Sequence, residues 1–129
     1  MNPYDPHYNA RPDQQVQNLS VTFARRIRQF CVKRQGSIAI DRSALVQLYR
    51  AATSVGANIR ESQFAESTKD FIHKLKIAEK ELAEYHFWMG LLMDAPPIAT
   101  PDELDEIHNL SLQLQKLLRS IILAKRANS

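Results

Sequence analysis

The chain has 129 residues, 44% of them hydrophobic and 24% charged, a size that fits one domain folding around its own core. A single cysteine excludes a disulfide framework, and no apolar run approaches the ~18 residues of a membrane span, so no membrane association and a cytoplasmic location are expected. The net charge of +3 is uneven: Arg11, Arg25, Arg26, Arg28, Lys33 and Arg34 face only Asp5 and Asp13 in the first 35 residues, where any anionic partner would be met.

Residues 1–15 contain Pro3, Pro6 and Pro12 with little to bury, and read as a flexible or loosely docked arm ahead of a helical bundle over residues 16–126. From Gln14 the apolar positions Val16, Leu19, Phe23, Ile27, Phe30 and Cys31 share one side of a helix. Arg25, Arg26, Arg28 and Lys33 point more nearly away from it. Gly36 suits the C-terminal cap, and Cys31, within the apolar stripe, reads as a buried thiol rather than a reactive one.

After the connector GSIAI, Asp41 is a good N-cap for a second helix carrying Leu45, Leu48, Tyr49, Ala52, Val55 and Ile59. Ala51, Ala52, Ser54, Gly56 and Ala57 make it rich in small residues, which let a neighbouring backbone approach. Gly56 lowers helix propensity by about 1 kcal/mol relative to alanine, so a packing reason is expected there. The helix should end between Glu61 and Phe64.

Ser67, answered by Asp70 in a capping box, predicts the start of a third helix over residues 68–93. Phe71, Leu75, Ala78, Leu82, Tyr85, Met89 and Leu92 recur at steps of four and three along it. Pro96 and Pro97 close it. Thr100, Pro101 and Glu103 then supply a cap, a first-turn proline and a capping box for a fourth helix. Its main stripe is Ile107, Leu110, Leu114, Leu117, Ile121 and Ala124, widened by Leu104, Leu112, Leu118, Ile122 and Leu123, and the terminal KRANS reads as frayed.

Long helices joined by short links predict an all-α, antiparallel up-down-up-down four-helix bundle; a three-helix bundle with a displaced first helix is the alternative. The broad apolar face of the fourth helix favours association between chains, because large exposed apolar patches are unusual on monomers.

The block Leu48-Tyr49-Arg50-Ala51-Ala52-Thr53-Ser54-Val55-Gly56-Ala57-Asn58-Ile59-Arg60-Glu61, the run Ser67-Thr68-Lys69-Asp70-Phe71-Ile72 and the segment Ala78 to Tyr85 resemble the four-helix-bundle family of 23S rRNA intervening-sequence proteins. Gly56 stands where that family usually has proline, Arg60 where it has a small residue, and Ser62 where it has glycine. The resemblance implies a compact antiparallel bundle assembling into a five-membered ring, and no enzymatic activity. The family is similar to the accessory proteins of diversity-generating retroelements, which form a basic pentameric barrel and bind nucleic acid and a reverse transcriptase.

The residues themselves offer no catalytic constellation. His7, His73, His86 and His108 are scattered, no Glu-x-x-His spacing joins Glu79 or Glu84 to a histidine, and no nucleophile has a recognisable base, so neither a metal nor another cofactor is expected. Asn58 and Glu61 are the most specific polar positions. A structural role is expected for both, Asn58 bonding to a neighbouring helix or to the linker before Ser67, Glu61 pairing with Arg60, Lys69 or another subunit. Tyr85, Phe87, Trp88 and Met89 read as core or interface packing. Arg25, Arg26, Arg28, Lys33 and Arg34, with Arg50 and Arg60, form the candidate nucleic-acid surface. A rotationally repeated surplus of this kind attracts phosphate backbones without reading bases. The rival reading is a structural or protein-docking scaffold in which the polar arm recruits a partner protein.

Overall fold

The computed structural model describes residues 11–128 and consists there of four helices: α1 (Pro12–Val32), α2 (Ala39–Ser62), α3 (Thr68–Leu92) and α4 (Pro101–Ala127). Each helix packs against two others, in the cycle α1, α2, α3, α4 and back to α1. The short links between successive helices force them antiparallel, so the arrangement is an up-down-up-down four-helix bundle. The three-helix alternative is excluded because α1 packs against both α2 and α4.

Local chemistry accounts for most helix ends, with five adjustments to the sequence reading. Pro12 occupies the first turn of α1, where a missing N–H does no harm, so residues 12–15 are helical; residues 1–10 of the expected arm lie outside the described residues. α1 ends at Val32 with Lys33 as C-cap, and Gly36 sits in the following turns without a positive φ. α2 starts earlier than Asp41. Ile38, with extended backbone, is its N-cap, and the Ile38 carbonyl already accepts the Arg42 N–H at 2.9 Å; Asp41 instead places negative charge in the first turn. At α3, Ser67 Oγ accepts the Asp70 N–H at 3.0 Å as expected, but Asp70 answers one residue further out, accepting the Glu66 N–H at 3.2 Å. The capping box of α4 is complete, and that helix continues to Ala127 rather than fraying at Lys125.

The core draws on all four helices. Phe23 and Ile27 of α1, Leu48 and Ile59 of α2, Leu75 and Tyr85 of α3, and Leu114 and Leu118 of α4 are fully buried. The Tyr85 ring meets Phe23 edge to face, centroids 4.9 Å apart, which ties α3 to α1 across the centre. α2 and α3 make the most extensive helix pairing in the bundle. Buried Ala44, Ala51 and Ala52 on α2 and Ala78 on α3 are small side chains in the core, and interaxial distance follows the size of the side chains between helices.

The buried face of α4 follows Ile107, Leu110, Leu114, Leu118, Ile121 and Ile122, leaving Leu117 half-buried and Ala124 exposed. A straight helix turns every 3.6 residues, so a stripe drawn at seven-residue steps drifts off the core by its last turns. Much of the apolar surplus expected on α4 is therefore buried, and only Leu112 and Leu123 stand out from it. The larger exposed apolar side chains are elsewhere: Ile38, Ile40, Val46 and Phe64 in or beside α2, and Phe87 and Leu91 on α3.

Candidate functional site

The outer seam between α1 and α2 carries a second stripe on each helix, next to the one that faces the core. On α2 it comprises Arg42, Val46, Tyr49, Thr53, Gly56 and Arg60, at alternating steps of four and three. Opposite them on α1 lie Gln17, Val21, Ala24, Arg25, Arg28 and Val32. Tyr49, assigned to the core from periodicity, thus belongs to the seam, where it is exposed.

Two grooves follow this seam. One, of about 590 Å³, is lined by Arg25, Arg60, Asn18 and Phe64 among others; the second, of about 470 Å³, by Arg28, Arg42, Cys31 and Tyr49. Among the described residues no carboxylate lines either groove. Arg42 was not among the sequence candidates. Its place four residues before Val46 on the α2 stripe is the signal that could have found it.

Of the remaining cations of the candidate set, Arg26, Arg34 and Arg50 are engaged inside the bundle. Arg26 donates from Nε to Glu106 of α4 at 2.6 Å. Arg34 is paired with Glu103 of α4, and donates to the Phe30 carbonyl at 3.0 Å and the Ile98 carbonyl at 3.3 Å. Arg50 bridges α2 to α3 through Glu81, at 3.2 Å, and Glu84. Lys33 is exposed at the end of α1, in a depression that also contains Glu103 and Glu106. The acids that favour the N-terminal turns of α4 thereby neutralise one flank of the basic helix.

Asn58 donates to the Ser54 carbonyl of its own helix at 2.8 Å rather than to another helix or to the linker. Glu61 pairs with Lys74 of α3 at 3.6 Å, and not with Arg60 or Lys69. A different amide is unusual. Asn18 is 1% exposed and accepts from Gln14 at 3.1 Å, but its own Nδ2 has no partner although it borders the first groove.

The other reactive side chains are quiet. Burial pushes the Cys31 thiol up to about 11 against a weaker opposite pull from Arg34, so it is a poor nucleophile at neutral pH. Burial, then the neighbouring His108, holds His86 below its ordinary value. No three His, Cys, Asp or Glu side chains gather to hold a metal among the described residues. Tyr85 and Met89 are core, Trp88 is half-buried, and Phe87 is exposed with its ring 5.1 Å from that of Trp88.

Residues 12–120 match the family model described as 23S rRNA-intervening sequence protein. Among solved structures the chain is similar to a protein of unknown function from the S23 ribosomal protein family of Bacteroides thetaiotaomicron VPI-5482. That match has a TM-score of 0.77 and 38% identity, and covers 87% of this chain and 98% of the other. Comparison with curated proteins gives no match.

Proposed function

The chain belongs to the 23S rRNA-intervening sequence protein family, and we propose that it is a non-enzymatic homo-oligomer, a pentamer, that binds RNA or DNA with little sequence preference. The observation that carries this reading is the pair of arginine-lined grooves along α1 and α2 without a carboxylate in their lining. Phosphate oxygens complement such a surface, and the resulting attraction is to the backbone rather than to bases. Arg28, Arg42 and Arg60, with Arg25 and Lys33, are the binding residues in this reading. Arg26, Arg34 and Arg50 serve the bundle through their ion pairs. The ring of five is what the family resemblance in the sequence implies. No helix among the described residues is long and apolar enough to cross a membrane, and the proposed location is the cytoplasm.

A labelled RNA titrated at low and high salt tests the proposal. Binding should weaken steeply with salt, and replacing Arg28, Arg42 and Arg60 by glutamine should lower the log–log slope by about 2, at roughly 0.7 per single-strand phosphate contact. Absence of binding at low salt, or indifference to salt, would overturn it. Mass measurement in solution tests the assembly, and a stable monomer contradicts the pentamer.

Exposed Ile38 and Ile40 at the start of α2 favour a second reading, a scaffold that docks a partner protein. The triple glutamine variant separates the two: the scaffold retains its assembly and protein partner, whereas the nucleic-acid binder loses its ligand.

A further inference from the structure

We propose that the α1–α2 seam is a binding groove for single-stranded nucleic acid, in which Tyr49 and Phe64 stack on bases while Arg28, Arg42 and Arg60 hold phosphates. The assignment rests on the nucleic-acid reading above and adds the strand state and the residues that select it.

Three features of the seam converge on it. Each groove joins an aromatic ring to arginine: Phe64, 80% exposed, lies with Arg60, and Tyr49 lies with Arg28 and Arg42. A cationic groove punctuated by aromatic faces holds single strands without sequence preference, because every base has a face to stack. From Tyr49 to the end of α2 at Ser62 the helix rises about 20 Å, and Phe64 lies just beyond that end, a span near the short end of such sites at roughly four nucleotides or more. No carboxylate stands among the described residues that line either groove, so nothing there repels a phosphate.

The same geometry disfavours a duplex. Bases inside a helix are already stacked on one another and offer no free face to Phe64 or Tyr49. A seam between two packed helices, whose axes are about 8–10 Å apart, is also far narrower than a duplex.

The test uses the full chain with a labelled ten-nucleotide oligouridylate and a duplex RNA of the same length, compared by anisotropy at low salt. The single strand should bind at least about fivefold more tightly. Tyr49→Leu with Phe64→Leu should weaken it by at least about fivefold with the salt slope unchanged, since each stacked base contributes about 1 kcal/mol or more. Both rings are solvent-exposed, so the double variant keeps its core, and circular dichroism checks its helicity. Equal affinity for strand and duplex, or a double variant indistinguishable from the parent, overturns the inference and leaves the broader reading standing. Equal displacement of the strand by polyglutamate of matched charge also overturns it, reducing the seam to a charged surface that an acidic protein could occupy. Failure of both RNAs to bind sinks the broader reading as well. Loss of the assembly in the double variant assigns the seam to a contact between copies and overturns the proposal.

Discussion

The guanidinium of Arg34 lies over the ring of Phe30, its central carbon 3.8 Å from the ring centroid, while its terminal nitrogen is paired with Glu103 on α4. One side chain therefore closes the C-terminal end of α1 onto the start of α4, and at 10% side-chain exposure it does so largely out of water. Arg34→Ala should destabilise the bundle by about 2 kcal/mol, from the lost stacking and charge-assisted hydrogen bonds. Arg34→Lys should recover only a minor part, because an ammonium lacks the planar fork that stacks and donates in several directions. Urea unfolding of the three proteins checks this; equal midpoints for lysine and arginine would contradict it.

Gly56 calls for a different expectation. A methyl group built there would lie 3.6 Å from Ser20 Oγ, an ordinary contact, and the backbone has no positive φ. The close packing of α1 on α2 therefore does not require glycine. Gly56→Ala should stabilise the protein by about 0.4–1 kcal/mol through helix propensity and a less flexible unfolded chain. A lower melting temperature in the alanine variant would show that the seam cannot accommodate the methyl.

Cys31 should be slow to alkylate in the folded protein. With its thiol at about 11 instead of 9.0, it holds about a hundredfold less thiolate at pH 8 than an ordinary cysteine. Iodoacetamide labelling should accelerate by at least that factor in urea. Native labelling at the rate of a free thiol would mean that the seam opens readily.

His86 makes stability sensitive to mild acid. Its folded value is held below 6.5 by burial first and by His108 second, and its Nε2 is buried without a partner. Lys76, Lys80, Glu79 and Arg119 share its groove between α3 and α4, so cations outnumber the carboxylate there. Below 6.5 the unfolded chain takes up the proton more readily than the folded one. The contribution of neutral His86 is thus complete above 6.5 and is lost as pH falls toward its folded value. The urea midpoint should drop between pH 7.5 and 5.5, and His86→Phe should reduce that drop; an undiminished drop would assign the effect to another group.

Periodicity and end signals determined the architecture. Phe71 to Leu92 at steps of four and three, the Ser67 and Thr100 caps and the Pro96-Pro97 break marked α3 and α4 because each depends on neighbours within one or two turns. Tertiary structure decided what local signals do not encode. Which arginines meet carboxylates depends on residues as distant as Arg34 and Glu103, and which exposed stripe becomes a groove depends on the helix beside it. Arg26 and Arg28 look alike on the α1 sequence. Arg26 faces the acidic start of α4, while Arg28 faces the carboxylate-free seam with α2, because positions two residues apart on a helix point about 160° from each other.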